Sequence, residues 1–309
     1  MRGSDIPTRP LGKTGVSVSA LGLGGYHLGD VGTQKEAIRI VHAAVDAGVT
    51  FMDNAWEYHE GKSEELMGKA LAGRRDQVFL MTKACSHGRD GKTAMRQLEQ
   101  SLKRLKTDYL DLWQIHEVVY DDDPERHYAP GGAVEALEEA KRQGKVRFLG
   151  FTGHKDPAIH LDMLARGFAF DTVQLPLNCF DAHFRSFQAR VLPELVRRGI
   201  GVVGMKSLGD GTGVKKRAVA ATEALRYAMS LEGVSTTVSG IDSMRILKQN
   251  LGVARGFKPM DAAGRRDLEA RCAAVAGDGR FELYKSSKRH DGPVGRKQHG
   301  FPSPEELGG

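Results

Sequence analysis

The chain has 309 residues, with 45 Lys and Arg against 39 Asp and Glu, a formal net charge of +6, and 38 glycines. That length admits one barrel of about 250 residues with extensions or two ordinary domains, and a glycine content above the usual level of about 7% argues against a helical bundle or a disordered chain. Basic and acidic residues are interspersed, which excludes a nucleic-acid-binding stripe and leaves Lys103, Arg104, Lys106, Arg197 and Arg198 as solvated helix faces, while a mildly positive field suits a phosphorylated small molecule.

The opening Met-Arg-Gly-Ser carries no functional signal, and residues 1–10 lack the apolar stretch of a secretory leader. No run is long enough to span a bilayer, so the expected location is the cytoplasm and no membrane partner is expected. Cys85, Cys179 and Cys272 are odd in number and lack CxxC spacing. That pattern argues against a disulfide framework or a metal cluster and fits a reducing compartment.

Residues 11–16 read as a tight turn between two short extended segments. Apolar strand-like runs then recur at 20–23, 49–52, 78–81, 110–115, 146–151, 171–175, 200–205 and 236–239, which makes eight. Between them lie amphipathic segments such as Met95, Leu98, Leu102 and Leu105, or Val134, Leu137 and Ala140, each keeping one helix face apolar. Strand alternating with helix predicts a parallel sheet, and eight units favour an α/β fold of the closed (β/α)8 TIM-barrel type over an open doubly wound sheet. The glycine fingerprint of the open alternative is absent: Gly22, Gly24 and Gly25 are followed by His27, and residues 209–213 fail similarly.

Two segments are long. Residues 118–131 carry Asp121, Asp122 and Asp123, and residues 277–309 form a polar tail whose start, with Phe281, Leu283 and Tyr284, is expected to pack. The plain alternative is a solvated loop and a loose tail.

Asp53, Tyr58, Lys83 and His116 fall at strand ends or in the turn after, within FMDNAWEY, FLMTK and DLWQIH. A parallel barrel gathers such ends around one mouth, so groups far apart in sequence can converge. A phenol with an ammonium and an imidazole nearby, and a carboxylate to hold the ammonium, can protonate a carbonyl oxygen. Because a free phenol titrates near 10, Lys83 is expected to lower the Tyr58 pKa, with Asp53 holding the lysine and His116 donating to the reacting oxygen.

Each residue alone has a structural explanation, as packing, a snorkelling lysine or a core histidine. Metal hydrolysis through His27, His42, His59, His87 and His116 is disfavoured because no HxH or HExxH spacing occurs, and no metal site is expected. A Schiff-base role for Lys83 needs a neutral amine, which a carboxylate at Asp53 opposes.

These residues, with RPLGKTGVSVSALGLGG near the start and VSGIDSMRILKQNL near residue 250, resemble the aldo-keto reductases over most of the chain. The resemblance implies a barrel over residues 1–276 with an N-terminal hairpin closing its floor, and a C-terminal tail over 277–309 bordering the substrate pocket. It implies reduction of a small-molecule aldehyde or ketone by direct hydride transfer from a bound nicotinamide, with Tyr58 as proton donor. The same residues would serve the reverse oxidation of a sugar or other alcohol, and a cofactor-sensing regulatory protein is the alternative outside enzymes. Substrate, direction and oligomeric state stay open.

By the same resemblance, Thr152 and Gln174 match the positions that hold the nicotinamide carboxamide, although Gly153 stands where the family has an asparagine. Met205 takes the stacking position usually held by an aromatic ring. Lys206, Leu208 and Gly209, within residues 206–211, match the pyrophosphate-covering loop. Gly240, Arg245, Gln249 and Asn250 match the adenosine end, where helix N-terminal amides suit phosphate. Arg245 would meet a 2′-phosphate and Asp242 would repel it, which gives NADPH the preference over NADH. Tyr26 and Trp56 read as substrate-pocket walls, or else as core aromatics.

Overall fold

The structure is a computed structural model that describes residues 5–85, 90–209, 211–287, 290–292, 296, 300, 302, 303 and 306. The opening Met-Arg-Gly-Ser, His87, Asp210 and much of the far tail lie outside the described residues.

Strands β1 (Thr8–Pro10) and β2 (Ser17–Ser19) form an antiparallel hairpin. Eight parallel strands follow: β3 (Leu21–Gly24), β4 (Phe51–Asp53), β5 (Phe79–Cys85), β6 (Leu110–His116), β7 (Val146–Thr152), β8 (Thr172–Pro176), β9 (Gly201–Met205) and β10 (Val234–Gly240). They close in chain order, with β10 pairing β3 from Thr237↔Leu21 to Gly240↔Gly24. The (β/α)8 barrel expected from the periodicity is the observed architecture. The register sets Cys85 beside His116 and Thr152 beside Gln174, so polar residues of neighbouring strands come to one end of the barrel.

The helices form because local chemistry starts and stops them. In helix Gly91–Leu105, the Asp90 carboxylate accepts from the amides of Lys92 and Thr93 at 3.0 and 3.3 Å. Such a cap is worth about 1 kcal/mol. Leu98, Leu102 and Leu105 are buried against the barrel, each burial contributing about 1.5–3 kcal/mol. Helix Pro157–Ala165 begins the same way, with Asp156 accepting from the Ala158 amide at 2.8 Å and Pro157 at its first position.

The barrel interior is filled at the end where the strands begin. Leu11 and Val18 of the hairpin join Phe51, Phe79, Met81, Leu112, Val203 and Val238 in one apolar cluster. Gly12 makes this plug possible: it has φ +55°, and a Cβ there would lie 2.3 Å from the Gly201 nitrogen. With the floor apolar and closed, a polar site can occupy only the opposite mouth.

Three expectations need correction. Strand β4 starts at Phe51 rather than Val49, because the Val49 amide still bonds the Ala44 carbonyl at the end of helix Gln34–Asp46. Residues 118–131 are not one loop: helix Asp123–Tyr128 lies within them, and the buried Asp123 accepts from the amides of Val119 and Tyr120 at 2.7 Å each. At the start of the tail Phe281 and Tyr284 are buried as expected, but Leu283 is 36% exposed. Among the described residues no helix is long and apolar enough to cross a membrane.

Candidate active site

Closure of the barrel sets the ends of β4, β5 and β6 side by side. Lys83, on β5, is 1% exposed, and its Nζ lies 2.5 Å from Asp53 Oδ1, 2.7 Å from the Asn54 carbonyl and 3.4 Å from the Tyr58 hydroxyl. Tyr58 opens the short turn Tyr58–Gly61 after β4. His116 ends β6, and its ring meets the Tyr58 ring edge-on at 5.8 Å between centroids. The four residues singled out in the sequence are together in space.

Their electrostatics differ from expectation at one point. Burial lowers the Lys83 pKa, and Asp53 opposes this through its charge and its hydrogen bond, so the lysine keeps a fixed counterion. The Tyr58 phenol was expected to be lowered; instead burial pushes it well above its ordinary value, and the charges of Asp53, Glu57 and Glu117 push the same way. The reason is geometric. Lys83 spends its two short contacts on Asp53 and Asn54, and its contact to the phenol is long.

Sequence reasoning missed the acidic shell around His116. Glu57 Oε1 lies 3.0 Å from His116 Nδ1, and Glu117 Oε2 lies 4.0 Å from Nε2. Glu117 also accepts from the Gly292 amide at 2.6 Å and meets His154 Nε2 at 2.5 Å. The only signal in the chain was adjacency, since Glu57 precedes Tyr58 and Glu117 follows His116. Among the described residues no group of three His, Cys, Asp or Glu could hold a metal ion.

Residues 20–223 match the model of the aldo/keto reductase family. The chain belongs to the aldo/keto reductase family. It is similar to aldo-keto reductase YhdN of Bacillus subtilis, at 33% identity over 58% of this chain and 55% of that protein, so it spans little more than half of that relative. It is also similar to 6-dehydroglucose reductase of Novosphingobium aromaticivorans, at 30% identity over 76% of this chain and 82% of that protein. Among solved structures, an aldo/keto reductase from Klebsiella pneumoniae in complex with NADP and acetate has the same fold, with a TM-score of 0.70 at 22% identity over 86% of this chain and 95% of that one.

Several of the residues expected to hold a cofactor lie on β7, β8, β9 and β10, which complete the barrel around this site. Gln174 Nε2 lies 3.5 Å from Asp53 Oδ1, while its buried Oε1 has no hydrogen-bond partner among the described residues. An orphaned acceptor there fits an amide donor such as a carboxamide. Thr152 Oγ1 donates toward Met205 Sδ at 4.0 Å, which joins two more of these positions. Asn250 is buried and donates to Ser239 Oγ at 3.0 Å, and Arg245 is exposed and makes no ion pair among the described residues.

Elsewhere the chain's own packing claims the space. Gly209 has φ +64°, and a Cβ there would lie 2.5 Å from the Phe281 carbonyl, so the tail helps require this glycine. At Gly240 a Cβ would lie 2.2 Å from His27 Nδ1, which leaves His27 the place a longer side chain would take. Tyr26 is 51% exposed and stands edge-on to Tyr58 at 5.3 Å. Trp56 has its partners on the outer helix, donating to Gln100 Oε1 at 2.7 Å with the Arg104 guanidinium 5.6 Å from its ring.

The tail reaches this mouth through a second buried cluster. Asn178, after β8, donates to the Tyr284 hydroxyl at 2.9 Å, to Glu282 Oε1 at 3.1 Å and to the Lys206 carbonyl at 3.2 Å. It thereby ties the tail to the loop after β9. Lys155 then holds Asp291 at 2.6 Å, which brings Gly292 against Glu57 and Glu117.

Proposed function

We propose that this protein reduces an aldehyde or ketone to the alcohol by direct hydride transfer from a nicotinamide cofactor, with NADPH preferred to NADH. The observation that carries the reading is a buried ammonium locked at 2.5 Å by Asp53 and 3.4 Å from a phenol that can reach a substrate oxygen. When bound, the nicotinamide supplies the hydride.

The protein's part is the proton and the geometry. Tyr58, whose pKa is raised by burial, holds its proton through neutral pH and gives it to the carbonyl oxygen. Lys83 stabilises the phenolate left behind, and His116 orients the carbonyl. Gln174 and Thr152 would hold the carboxamide and Met205 would offer a polarizable surface to the ring. Lys206, Leu208, Gly209, Gly240, Gln249 and Asn250 would line the phosphate and adenosine side, where Arg245 offers its exposed charge to a 2′-phosphate. The NADP named for the Klebsiella structure and the reductase activity named for the Novosphingobium relative support this assignment.

Tyr26 would flank the substrate and the tail from residue 277 would border its pocket, the barrel proper ending at 276. The direct test is fluorescence titration with NADPH and NADH, followed by oxidation of the tighter binder with small, aromatic and dicarbonyl compounds. Binding with carbonyl-dependent oxidation is the expected result. Binding with no oxidation by any carbonyl would overturn the reductase reading, and no binding would remove the cofactor as well.

A further inference from the structure

Glu57 lies between β4 and Tyr58, and its carboxylate has few donors. The side chain is 9% exposed. Among the described residues one group donates to it, the Cys85 thiol at 3.4 Å. The ring of His116 is a neighbour, but Nδ1, at 3.0 Å, forms no hydrogen bond in this geometry. A carboxylate offers about four acceptor sites, and enclosing them without donors is costly, so Glu57 has acceptor capacity to spare beside Tyr58.

The tail leaves that capacity uncovered. A Cβ at Gly292 would lie 3.0 and 3.1 Å from the two Glu57 oxygens and 3.3 Å from Glu117 Oε1. The backbone of Gly292 is not left-handed, so the missing side chain serves space rather than conformation. Any other residue here would cap the carboxylate.

The charge of this wall sets what could approach it. Lys83, Lys155 and His154 already hold Asp53, Asp291 and Glu117 at 2.5, 2.6 and 2.5 Å. Burial, then the charges of Asp53, Glu57 and Glu117, raises the Tyr58 phenol, so a negative field lies over the place a carbonyl would take. A substrate carboxylate would meet repulsion there, whereas a neutral hydroxyl could donate.

We propose that Glu57 selects the substrate: with the carbonyl at Tyr58 and His116, it accepts from a hydroxyl on a neighbouring carbon, so the substrate is a neutral, hydroxylated carbonyl compound. Placement of the carbonyl rests on the carbonyl-reductase reading; the hydroxyl contact is a binding property that can be read without turnover. Glu57 takes no part in the hydride or proton step. A site built to accept from a hydroxyl disfavours the analogue that lacks it, because the acceptor is then left unmatched.

The test compares matched aldehydes with NADPH on the full-length protein. Glyceraldehyde and propanal share a three-carbon chain, and kcat/KM per free aldehyde should favour glyceraldehyde about 10- to 100-fold. Glu57→Leu should reduce that ratio about 10-fold or more, whatever it does to both rates together. Gly292→Ala, which keeps the carboxylate but covers it, should move the ratio the same way. Succinate semialdehyde should be disfavoured against butanal about 10-fold, and Glu57→Gln should relax this. A wild type without preference for glyceraldehyde, or a ratio unchanged in Glu57→Leu, overturns the inference. If Glu57→Leu fails to fold, an unchanged ratio in Gly292→Ala does so.

Saturation-transfer NMR with glycerol and propan-1-ol, with and without NADP, supplies the readout that needs no turnover. Glycerol should receive saturation from the wild type and lose it in Glu57→Leu. That result in a protein that reduces no aldehyde would keep this inference and remove the reductase reading. Equal glycerol signals from both proteins would overturn the inference even where aldehydes are reduced.

Discussion

Lys83 at the mouth and Lys285 in the tail are each 1% exposed, yet their surroundings differ. Lys285 Nζ has three short acceptors, Asp181 Oδ1 at 2.6 Å and Glu282 Oε2 and the Phe184 carbonyl at 2.9 Å each. Lys83 has two, Asp53 and Asn54, and its third contact is the 3.4 Å one to Tyr58. The first ammonium is saturated and can only hold the tail in place. The second keeps one direction open toward a group that can gain or lose a proton. Burial with complete pairing builds structure, and burial with one long contact builds a site.

The largest effect should come from removing the partner of that open contact. Tyr58→Phe should lower kcat by about 10² to 10⁴-fold and leave the NADPH Kd within about two-fold, measured by steady-state oxidation and fluorescence titration. Wild-type turnover in this variant would assign the proton to another group. On the saturated side, Lys285→Met leaves Asp181 and Glu282 buried without their cation. It should lower unfolding free energy by about 3–5 kcal/mol in a denaturant titration. An unchanged midpoint would mean that the tail contributes no stability through this cluster.

A third test concerns a buried group outside both clusters. Burial pushes the His160 pKa down to about 3, below its ordinary 6.5. The unfolded state therefore binds the proton first, so the stability tied to neutral His160 is complete above pH 6.5 and is lost as pH falls toward 3. The slope should be about 1.4 kcal/mol per pH unit, and His160→Phe should flatten it in acid denaturation. An identical acid profile for the variant would place the loss elsewhere. The smallest effect is expected at the rim, where Arg245→Ala should weaken NADPH relative to NADH by about 5- to 10-fold, or about 1 kcal/mol. An unchanged ratio would remove Arg245 from the 2′-phosphate assignment.

Much of the fold was legible because its signals are local. The runs at 110–115 and 146–151 were within one residue of β6 and β7, and Leu98, Leu102 and Leu105 marked the buried face of their helix. Val49 was placed in a strand because an apolar residue before a strand looks like part of it, and its bond to the Ala44 carbonyl has no signature in the chain. Trp56 was singled out because it is two residues from Tyr58, and its partners Gln100 and Arg104, on a distant helix, have no signature near it in the chain. The lowered Tyr58 pKa was expected from Lys83 alone, since neither the burial that chiefly raises it nor the added charges of Glu57 and Glu117 could be placed from the chain.

By itself the sequence determined the alternation of strand and helix, the count of eight, and the four polar residues at the strand ends. These follow from periodicities of two and of about 3.6 residues and from turn chemistry, which act over a few positions. Tertiary structure alone decided what surrounds those four residues. Lys83 meets Asp53 across 30 positions, and Gly292 reaches Glu117 across 175. Hydrogen-bond partners, burial and the pKa directions that depend on them belong to such contacts, and only barrel closure and the return of the tail to the mouth bring them together.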